Sequence, residues 1–145
     1  MKQNKSDSEP GLSVERRVFF LTKESFHDVM DYIEAYCRAA GCTDRALGQI
    51  SVASSEILAN IDSYAYSHGG EVEILMHCSG RRLTVVFRDS GPPFDPLDAA
   101  VPDVNAPVSE RTPGGLGIFL VRRLMTAVSY QYTDGQNELT IEKEF

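Results

Sequence analysis

The stretch TDRALGQISVASSEILANIDSYAY, residues 43–66, is the longest segment of the chain with a single clear period. Its apolar residues recur at three- and four-residue intervals, and Thr43 stands where the N-cap of a helix is expected. The stretch therefore predicts an amphipathic helix. Glu56 and Asn60 are one turn apart, separated by about 40° around the helix, at the flank of the apolar stripe. We expect both side chains to lie where the buried face of the helix meets a cleft.

The pair formed by Glu56 and Asn60 has two interpretations. An amide oxygen is a ligand for a hard cation such as Mg²⁺, and a neighbouring carboxylate accepts a proton or orients a nucleophile. Alternatively, the two residues are a half-buried glutamate and asparagine at a packing edge, which is the simpler interpretation of so short a motif taken alone. The rest of the chain decides between the two.

Length and composition limit the classes of protein to which the chain can belong. With 145 residues, of which 42% are hydrophobic, it has the size of one globular domain with a real core. The formal net charge of −7 disfavours a nucleic-acid partner held through its phosphates. The sequence contains no apolar run of membrane-spanning length, and residues 1–13 lack the hydrophobic segment of a secretory signal. We therefore expect a cytoplasmic protein that binds neither membranes nor nucleic acids directly.

The three cysteines, Cys37, Cys42 and Cys78, show neither a CxxC spacing nor a spacing with histidine that suits zinc. Such a set is typical of a reducing compartment and argues against a structural metal. We expect these thiols to contribute to packing.

Periodicity along the rest of the chain predicts five strands and two further helices. A polar tail, residues 1–13, precedes a single domain that we expect to span residues 14–145. One further helix is capped by Thr22 or Ser25 and ended by Gly41, and the other covers residues 115–128. Because the strands cluster in antiparallel pairs, their order favours a two-layer α+β sandwich over a doubly wound parallel sheet. The strands, marked by alternation of apolar residues, are 14–21, 71–78, 83–89, 129–133 and 138–145.

The segment between the third strand and the third helix, residues 90–115, is rich in proline and glycine and shows no period. Compact domains rarely contain an irregular stretch of this length unless it is disordered or acts as a lid or binding loop. We expect residues 96–114 to form such a lid.

Asp89 ends an apolar strand and opens the segment DSGPPFDP, residues 89–96. A carboxylate at this place could accept a hydrogen bond from an exocyclic amine such as N6 of adenine, and Gly91 would let a flat ring approach the backbone. The segment is equally well explained as a plain turn, in which aspartate and proline are common.

Gly114, Gly115 and Gly117 stand at the start of the third predicted helix. Unpaired N–H groups and the positive end of the helix dipole would face the loop there, which suits an anion, although glycines also relieve crowding in tight turns. Together with a lid and an amide suited to Mg²⁺, this helix start forms a coherent set for a nucleotide. The sequence lacks the P-loop, the dinucleotide-binding glycine motif and the HRD and DFG motifs, which excludes the familiar nucleotide-binding folds.

Three motifs in order carry a resemblance to a known family. EILAN at 56–60, DSGPPFDP at 89–96 and GGLGIFLVRRL at 114–124 resemble the N, G1 and G2 boxes of the GHKL, or Bergerat-fold, ATPases. Among these, the chain is most similar to the small anti-sigma factor and serine kinase family, over nearly all of residues 14–145. The resemblance implies an α+β fold in which a two-layer sandwich combines a mixed, mainly antiparallel sheet with about three helices on one face.

The resemblance also implies roles for individual residues. Glu56 would be the general base near the attacking hydroxyl, and Asn60 would be the ligand of the Mg²⁺ that accompanies ATP. Asp89 would recognise adenine with Gly91 beside the ring, and Thr140 on the last strand would support this contact through water.

On the phosphate side, the resemblance implicates the third helix and the lid. Gly115 and Gly117 would lie against the phosphates, and Arg111 would act from the lid on a phosphate or on a partner. A serine hydroxyl is a poor nucleophile at neutral pH, so a serine kinase must position, deprotonate and neutralise at once. Glu56, Mg²⁺ and the lid would divide this work.

By this resemblance, the chain would be an ATP-binding regulator that phosphorylates a serine on a small antagonist, an anti-anti-sigma protein of the STAS type, and holds a sigma factor or a similar target. Two alternatives stay open. One is a partner-switching module of the same fold without kinase activity, and the other is an α+β interaction domain that binds no nucleotide. A homodimer is a further open question, because the strand with Phe19 and Phe20 suits either the core or an interface.

Overall fold

The computed structural model describes residues 12–62, 70–98 and 115–145. Within these ranges, the chain forms five strands and three α-helices, and each of them was predicted from the sequence. The strands are β1 (Leu12–Leu21), β2 (Gly70–Ser79), β3 (Arg82–Asp89), β4 (Ala127–Thr133) and β5 (Gln136–Glu144). The helices are α1 (Phe26–Ala39), α2 (Asp44–Asn60) and α3 (Gly115–Leu124), and a single 3-10 turn covers Pro96–Asp98.

The five strands form one sheet in the order β1-β2-β3-β5-β4, in which every neighbouring pair is antiparallel. The α+β sandwich is confirmed, whereas the sheet of the described residues is antiparallel throughout rather than mixed. The reason is the position of β5. β4 follows β3 through α3 and runs in the same direction as β3, but β5 turns back from β4 and lies between the two.

α2 begins as the sequence predicts and ends earlier. Thr43 is the N-cap, and its side-chain oxygen accepts a hydrogen bond of 3.1 Å from the N–H of Ala46. The helix ends at Asn60, and the hydrogen bonding widens to the π type at residues 61–62. The remainder of the predicted helix, residues 63–66, lies outside the described ranges.

The core lies between the helices and one face of the sheet. Side chains of β2, β3 and β5 alternate between this face and the outer face, as strand geometry requires. At one end of the core face the alternation places two polar side chains, Asp89 and Asn137, which are opposite each other in the register and each 5% exposed. Buried apolar residues of the same face include Val72, Ile74, Met76, Val85, Phe87, Leu139 and Ile141.

β1 is an edge strand that separates the two neighbouring phenylalanines. Phe19 faces the core, where its ring packs edge-on against Tyr32 with ring centroids 5.4 Å apart. Phe20 lies on the outer face and is 58% exposed. The strand begins two residues before its predicted start, because Leu12 pairs with Cys78 beyond a bulge.

The end of α1 brings two of the cysteines together. The N–H of Cys42 donates to the carbonyl of Cys37, and the N–H of Gly41 donates to that of Arg38, both over 3.1 Å, with Gly41 at φ +86°. These two bonds define a Schellman motif. In this motif the side chains of the two residues joined by the longer-range bond, here Cys37 and Cys42, contact each other. Both residues and Cys78 are free thiols.

In the described part of the chain, no helix has both the length and the apolar character needed to cross a membrane. The same residues contain no cluster of three or more His, Cys, Asp and Glu side chains that could hold a metal ion.

Candidate functional site

A pocket opens at the end of the core face that carries Asp89 and Asn137. Most of its walls are apolar or aromatic, so it suits a flat apolar ring with a polar edge. Its volume is about 30 Å³, room for about two water molecules. Phe94, which is 40% exposed, is the aromatic wall residue that is most open to solvent. The apolar and aromatic walls include Ile57, Ile61, Phe87, Phe94, Tyr130 and Leu139.

Asp89 is the last residue of β3, and its carboxylate is held through one oxygen. Oδ1 accepts hydrogen bonds from the backbone N–H of Gly91 at 2.9 Å and from Nδ2 of Asn137 at 3.0 Å. Both donors that the described residues supply to this carboxylate go to Oδ1. Oδ2 is therefore the oxygen that remains for a ligand in the pocket. This geometry suits the expected contact between Asp89 and an exocyclic amine, with Gly91 next to it.

Thr140, the residue expected to support Asp89 from the last strand, lies elsewhere. Leu139 and Ile141 are buried on the core face, so the side chain of Thr140 between them lies on the outer face of the sheet. It is not among the residues that line the pocket. The residue of β5 that contacts Asp89 is Asn137, which the sequence analysis missed. In the sequence, Asn137 follows the turn at Asp134 and Gly135 so closely that it resembles a turn residue. Its contact with Asp89 follows only from the register in which β5 pairs with β3.

α2 carries its two candidate residues to neighbouring parts of the site. Asn60, at the end of the helix, lines the pocket. Glu56, one turn earlier, is half-buried and lies against the first turn of α3. Both Glu56 and Asn60 are partly buried, as expected for side chains at the border of the buried face of α2. Asp89 and Asn60 thus line the same pocket, and Glu56 lies one helical turn before Asn60, against α3.

The contact between Glu56 and α3 depends on Gly117. A Cβ atom added to Gly117 would overlap Oε1 of Glu56 and would lie 3.3 Å from its carboxyl carbon. Gly117 therefore leaves the space that the Glu56 carboxylate occupies, in addition to any contact with phosphates. Gly115 is the first residue of α3, at the end of the helix where N–H groups point outward.

The beginning of the predicted lid is tied to α3. Nη2 of Arg122 donates to the carbonyl of Leu97 at 2.9 Å, and the side chain of Asp95 accepts from the N–H of Leu97 at 2.8 Å. Pro96–Asp98 is thereby held as a 3-10 turn next to the pocket. Arg111 and residues 99–114 of the predicted lid lie outside the described ranges.

Tyr130 completes the polar part of the pocket. Burial raises the pKa of its hydroxyl, the charges of Asp95 and Asp89 act in the same direction, and a hydrogen bond with the backbone of Phe94 opposes them. The hydroxyl therefore stays protonated at neutral pH, and it donates to Oδ1 of Asn137.

Curated relatives of the chain include two protein kinases. The serine/threonine-protein kinase BtrW of Bordetella bronchiseptica is 32% identical over 94 residues, which are 63% of this chain and 66% of the relative. The serine-protein kinase RsbW of Halalkalibacterium halodurans is 30% identical over 100 residues, 66% of this chain and 61% of the relative. The chain thus spans less than two thirds of the length of either relative.

Two solved structures share the fold at low sequence identity. The RsbU and RsbW domains of Rv1364c from Mycobacterium tuberculosis superpose with a TM-score of 0.66 at 12% identity, covering 92% of this chain and 32% of that one. The histidine kinase AdeS of Acinetobacter baumannii gives 0.51 at 16% identity, covering 92% and 68%. At these identities, the likeness shows the fold alone.

The sequence family described as the histidine kinase-like ATPase domain matches residues 19–143. This range begins in β1, ends in β5 and contains the pocket, Glu56 and Gly117. The chain therefore belongs to the histidine kinase-like ATPase domain family.

Proposed function

We propose that the chain binds ATP with Mg²⁺ and transfers the terminal phosphoryl group to a serine hydroxyl of a partner protein. The observation that carries this proposal is the placement of the two α2 residues. Asn60 lines the pocket that contains Asp89, while Glu56 lies one turn away against the N-terminal turn of α3. A base site and an amide thus share one pocket, and one helical turn along α2 a carboxylate lies next to the N-terminus of α3.

The described residues suit ATP from its base to its phosphates. The apolar walls take up the purine, and Oδ2 of Asp89 accepts its amino group. The N–H groups at the start of α3, at Gly115 and Gly117, are donors for phosphate oxygens. Arg111 is proposed to reach the phosphates or the partner from residues 96–114, the proposed lid.

Asn60 is the residue proposed to hold Mg²⁺. Its side chain offers one amide oxygen at the pocket, which suits Mg²⁺ because this ion commonly takes one or two protein ligands and completes its shell with phosphates and water. When bound, the ion neutralises charge on the phosphates during transfer.

Glu56 is proposed as the general base. Its carboxylate accepts the proton of the serine hydroxyl while the serine oxygen bonds to the terminal phosphorus and the bond from phosphorus to ADP breaks. The products are phosphoserine and ADP, with the proton on Glu56. Gly117 positions the carboxylate, because any larger residue would occupy the same space.

The partner is proposed from the resemblance and from the relatives. Both curated relatives are named as kinases, one of them as a serine-protein kinase, which supports a protein serine as the acceptor. We infer that the acceptor is a small anti-anti-sigma protein of the STAS type, and that a sigma factor or similar target is the second partner. A cytoplasmic location fits the three free thiols of the chain.

Thermal unfolding with and without Mg²⁺-ADP tests nucleotide binding, on the wild type and on Asn60→Ala. Ligand at ~100 times its Kd adds about 2.7 kcal/mol, a rise of several degrees in Tm for a domain of this size. We expect a rise in the wild type that requires Mg²⁺ and becomes smaller in the variant. The absence of any shift at millimolar ligand would contradict the proposal.

Phosphate transfer is tested with ATP labelled at its terminal phosphate and a purified STAS-type protein. We expect the label on a serine of that protein, and loss of transfer in Glu56→Ala with ADP binding retained. Binding of nucleotide without transfer in the wild type would instead identify a partner-switching module without kinase activity.

A further inference from the structure

The side-chain nitrogen of Asn137 has three acceptors around it. Nδ2 lies 3.0 Å from Oδ1 of Asp89, 2.9 Å from the carbonyl of Pro92 and 3.3 Å from the carbonyl of Gly91. An amide nitrogen has two hydrogens, so the two shorter bonds use both, and the third is shared. One side chain of β5 thus holds the end of β3 and both peptide carbonyls of the turn that follows it.

The side-chain oxygen of Asn137 is equally occupied. Oδ1 accepts from the backbone N–H of Phe94 at 3.0 Å and from the hydroxyl of Tyr130. Two donors fill the two lone pairs of an amide oxygen. Because acceptors surround one end of the amide and donors the other, the orientation of the amide is determined by its partners.

The chemistry of this position admits few other residues. Aspartate has the same shape but no N–H group, and it would place a second carboxylate next to Asp89. Serine or threonine would supply one donor where Asn137 supplies two. Asn137 is itself only 5% exposed, so water has little access to replace lost hydrogen bonds.

We propose that Asn137 is a positioning residue for base recognition: it holds Oδ1 of Asp89 so that Oδ2 points at the exocyclic amine of a purine. This inference rests on the proposed nucleotide function and adds a source of base selectivity to it. Without the amide, Asp89 keeps only the N–H of Gly91 among these donors, and its carboxylate is free to rotate. The site would then lose its preference for a 6-amino purine more than its affinity for the rest of the nucleotide.

The test compares two probes by isothermal titration calorimetry in the presence of Mg²⁺. One is ADP, and the other is purine riboside 5′-diphosphate, which is ADP without the 6-amino group. We expect the wild type to bind ADP about tenfold to a hundredfold more tightly, as one hydrogen bond to a charged acceptor provides. In Asn137→Ala, we expect this ratio to fall below about threefold, with a smaller change for the analogue.

Gln136→Ala is the matched control. It removes an amide from the neighbouring residue of β5, whose side chain lies on the outer face of the sheet and is absent from the pocket lining. We expect this variant to keep the wild-type ratio. If Asn137→Ala weakens both probes by the same factor, Asn137 has only a structural role and the inference fails.

Asn137→Asp provides a second measurement that does not depend on the alanine variant. Two adjacent carboxylates share a proton at low pH, and that proton can replace the missing N–H donor. We expect the ADP preference of Asn137→Asp to be low at pH 8 and to recover toward pH 5. A ratio with the same pH profile as the wild type would overturn the inference.

Failure of the wild type to bind either probe would overturn the proposed function itself, whereas an unchanged ratio in both variants would overturn only the role of Asn137.

Discussion

Replacement of Gly117 by alanine tests the geometry that connects α2 with α3. The added methyl group would overlap Oε1 of Glu56 and would lie 3.3 Å from its carboxyl carbon. Ordinary contact between such atoms requires about 3.5 Å or more, so the carboxylate must withdraw by about 1 Å. Glu56 is half-buried and its carboxylate is the far end of a flexible side chain, so the side chain rather than the backbone will yield.

The expected effects on stability and on catalysis therefore differ in size. A strained rotamer of Glu56 costs about 0.5–1.5 kcal/mol, and alanine in a helix is favoured over glycine by up to about 1 kcal/mol. The two contributions nearly cancel, so we expect the Tm to change by less than about 4 °C. A catalytic group displaced by about 1 Å costs about a hundredfold in rate. We expect the proposed phosphate transfer to a STAS-type protein to fall by about this factor, while ADP affinity stays within about threefold.

Gly48→Ala is the matched control for this prediction. Gly48 lies within α2, is exposed, and a Cβ atom there would meet nothing within 4 Å. We expect a gain of about 0.5–1 kcal/mol in the free energy of unfolding and unchanged transfer. Full transfer activity in Gly117→Ala would refute the argument, because the carboxylate would then work equally well from a displaced position. A loss above about 3 kcal/mol would refute it differently, since it would mean that the backbone of α3 and not the Glu56 side chain has to move.

Three further predictions concern stability and reactivity. Thr43→Ala removes the N-cap of α2 and should lower the Tm by about 2–4 °C, whereas Thr43→Ser should restore it; equal melting of both variants would show that the cap contributes nothing. Burial raises the pKa of Cys37 to about 12, so a thiol reagent at pH 8 should modify it only at the rate of unfolding, and rapid labelling of the native protein would contradict this. Burial raises the pKa of Glu73, but hydrogen bonds from Arg88 and Arg16 outweigh it and hold the pKa below its ordinary value. The stability that this depressed pKa provides is present above the unfolded-state pKa and is lost as the pH falls through the folded-state pKa, so Glu73→Gln should flatten the acid limb of a plot of Tm against pH. An acid limb as steep as that of the wild type would exclude Glu73 as its source.

The fold was predictable to a large extent because its elements are local. The hairpin of β2 and β3 and that of β4 and β5 are marked by alternating apolar residues around short turns, and both formed as expected. The order of the strands was harder to predict. β5 lies between β3 and β4, and no local signal states which earlier strand the last hairpin will join.

The candidate site was predictable where a single element carries it. Glu56 and Asn60 are on one helix at a fixed spacing, so their common flank follows from helix geometry. Thr140 was expected near Asp89 by resemblance, but the alternation of β5 places it on the outer face. A shift of three residues along a strand reverses the face, and for this reason Asn137 and not Thr140 contacts Asp89.

By itself, the sequence determined the helix α2 with its cap at Thr43, the strands, and the flank shared by Glu56 and Asn60. Each of these depends on hydrogen bonds and side-chain spacing within a few residues, which a local pattern records. The tertiary structure alone decided that Asn137 meets Asp89, 48 residues earlier in the chain, and that Gly117 makes room for Glu56. Such contacts are set by strand register and helix packing, which depend on how the whole core fills its space and therefore leave no signal at either residue.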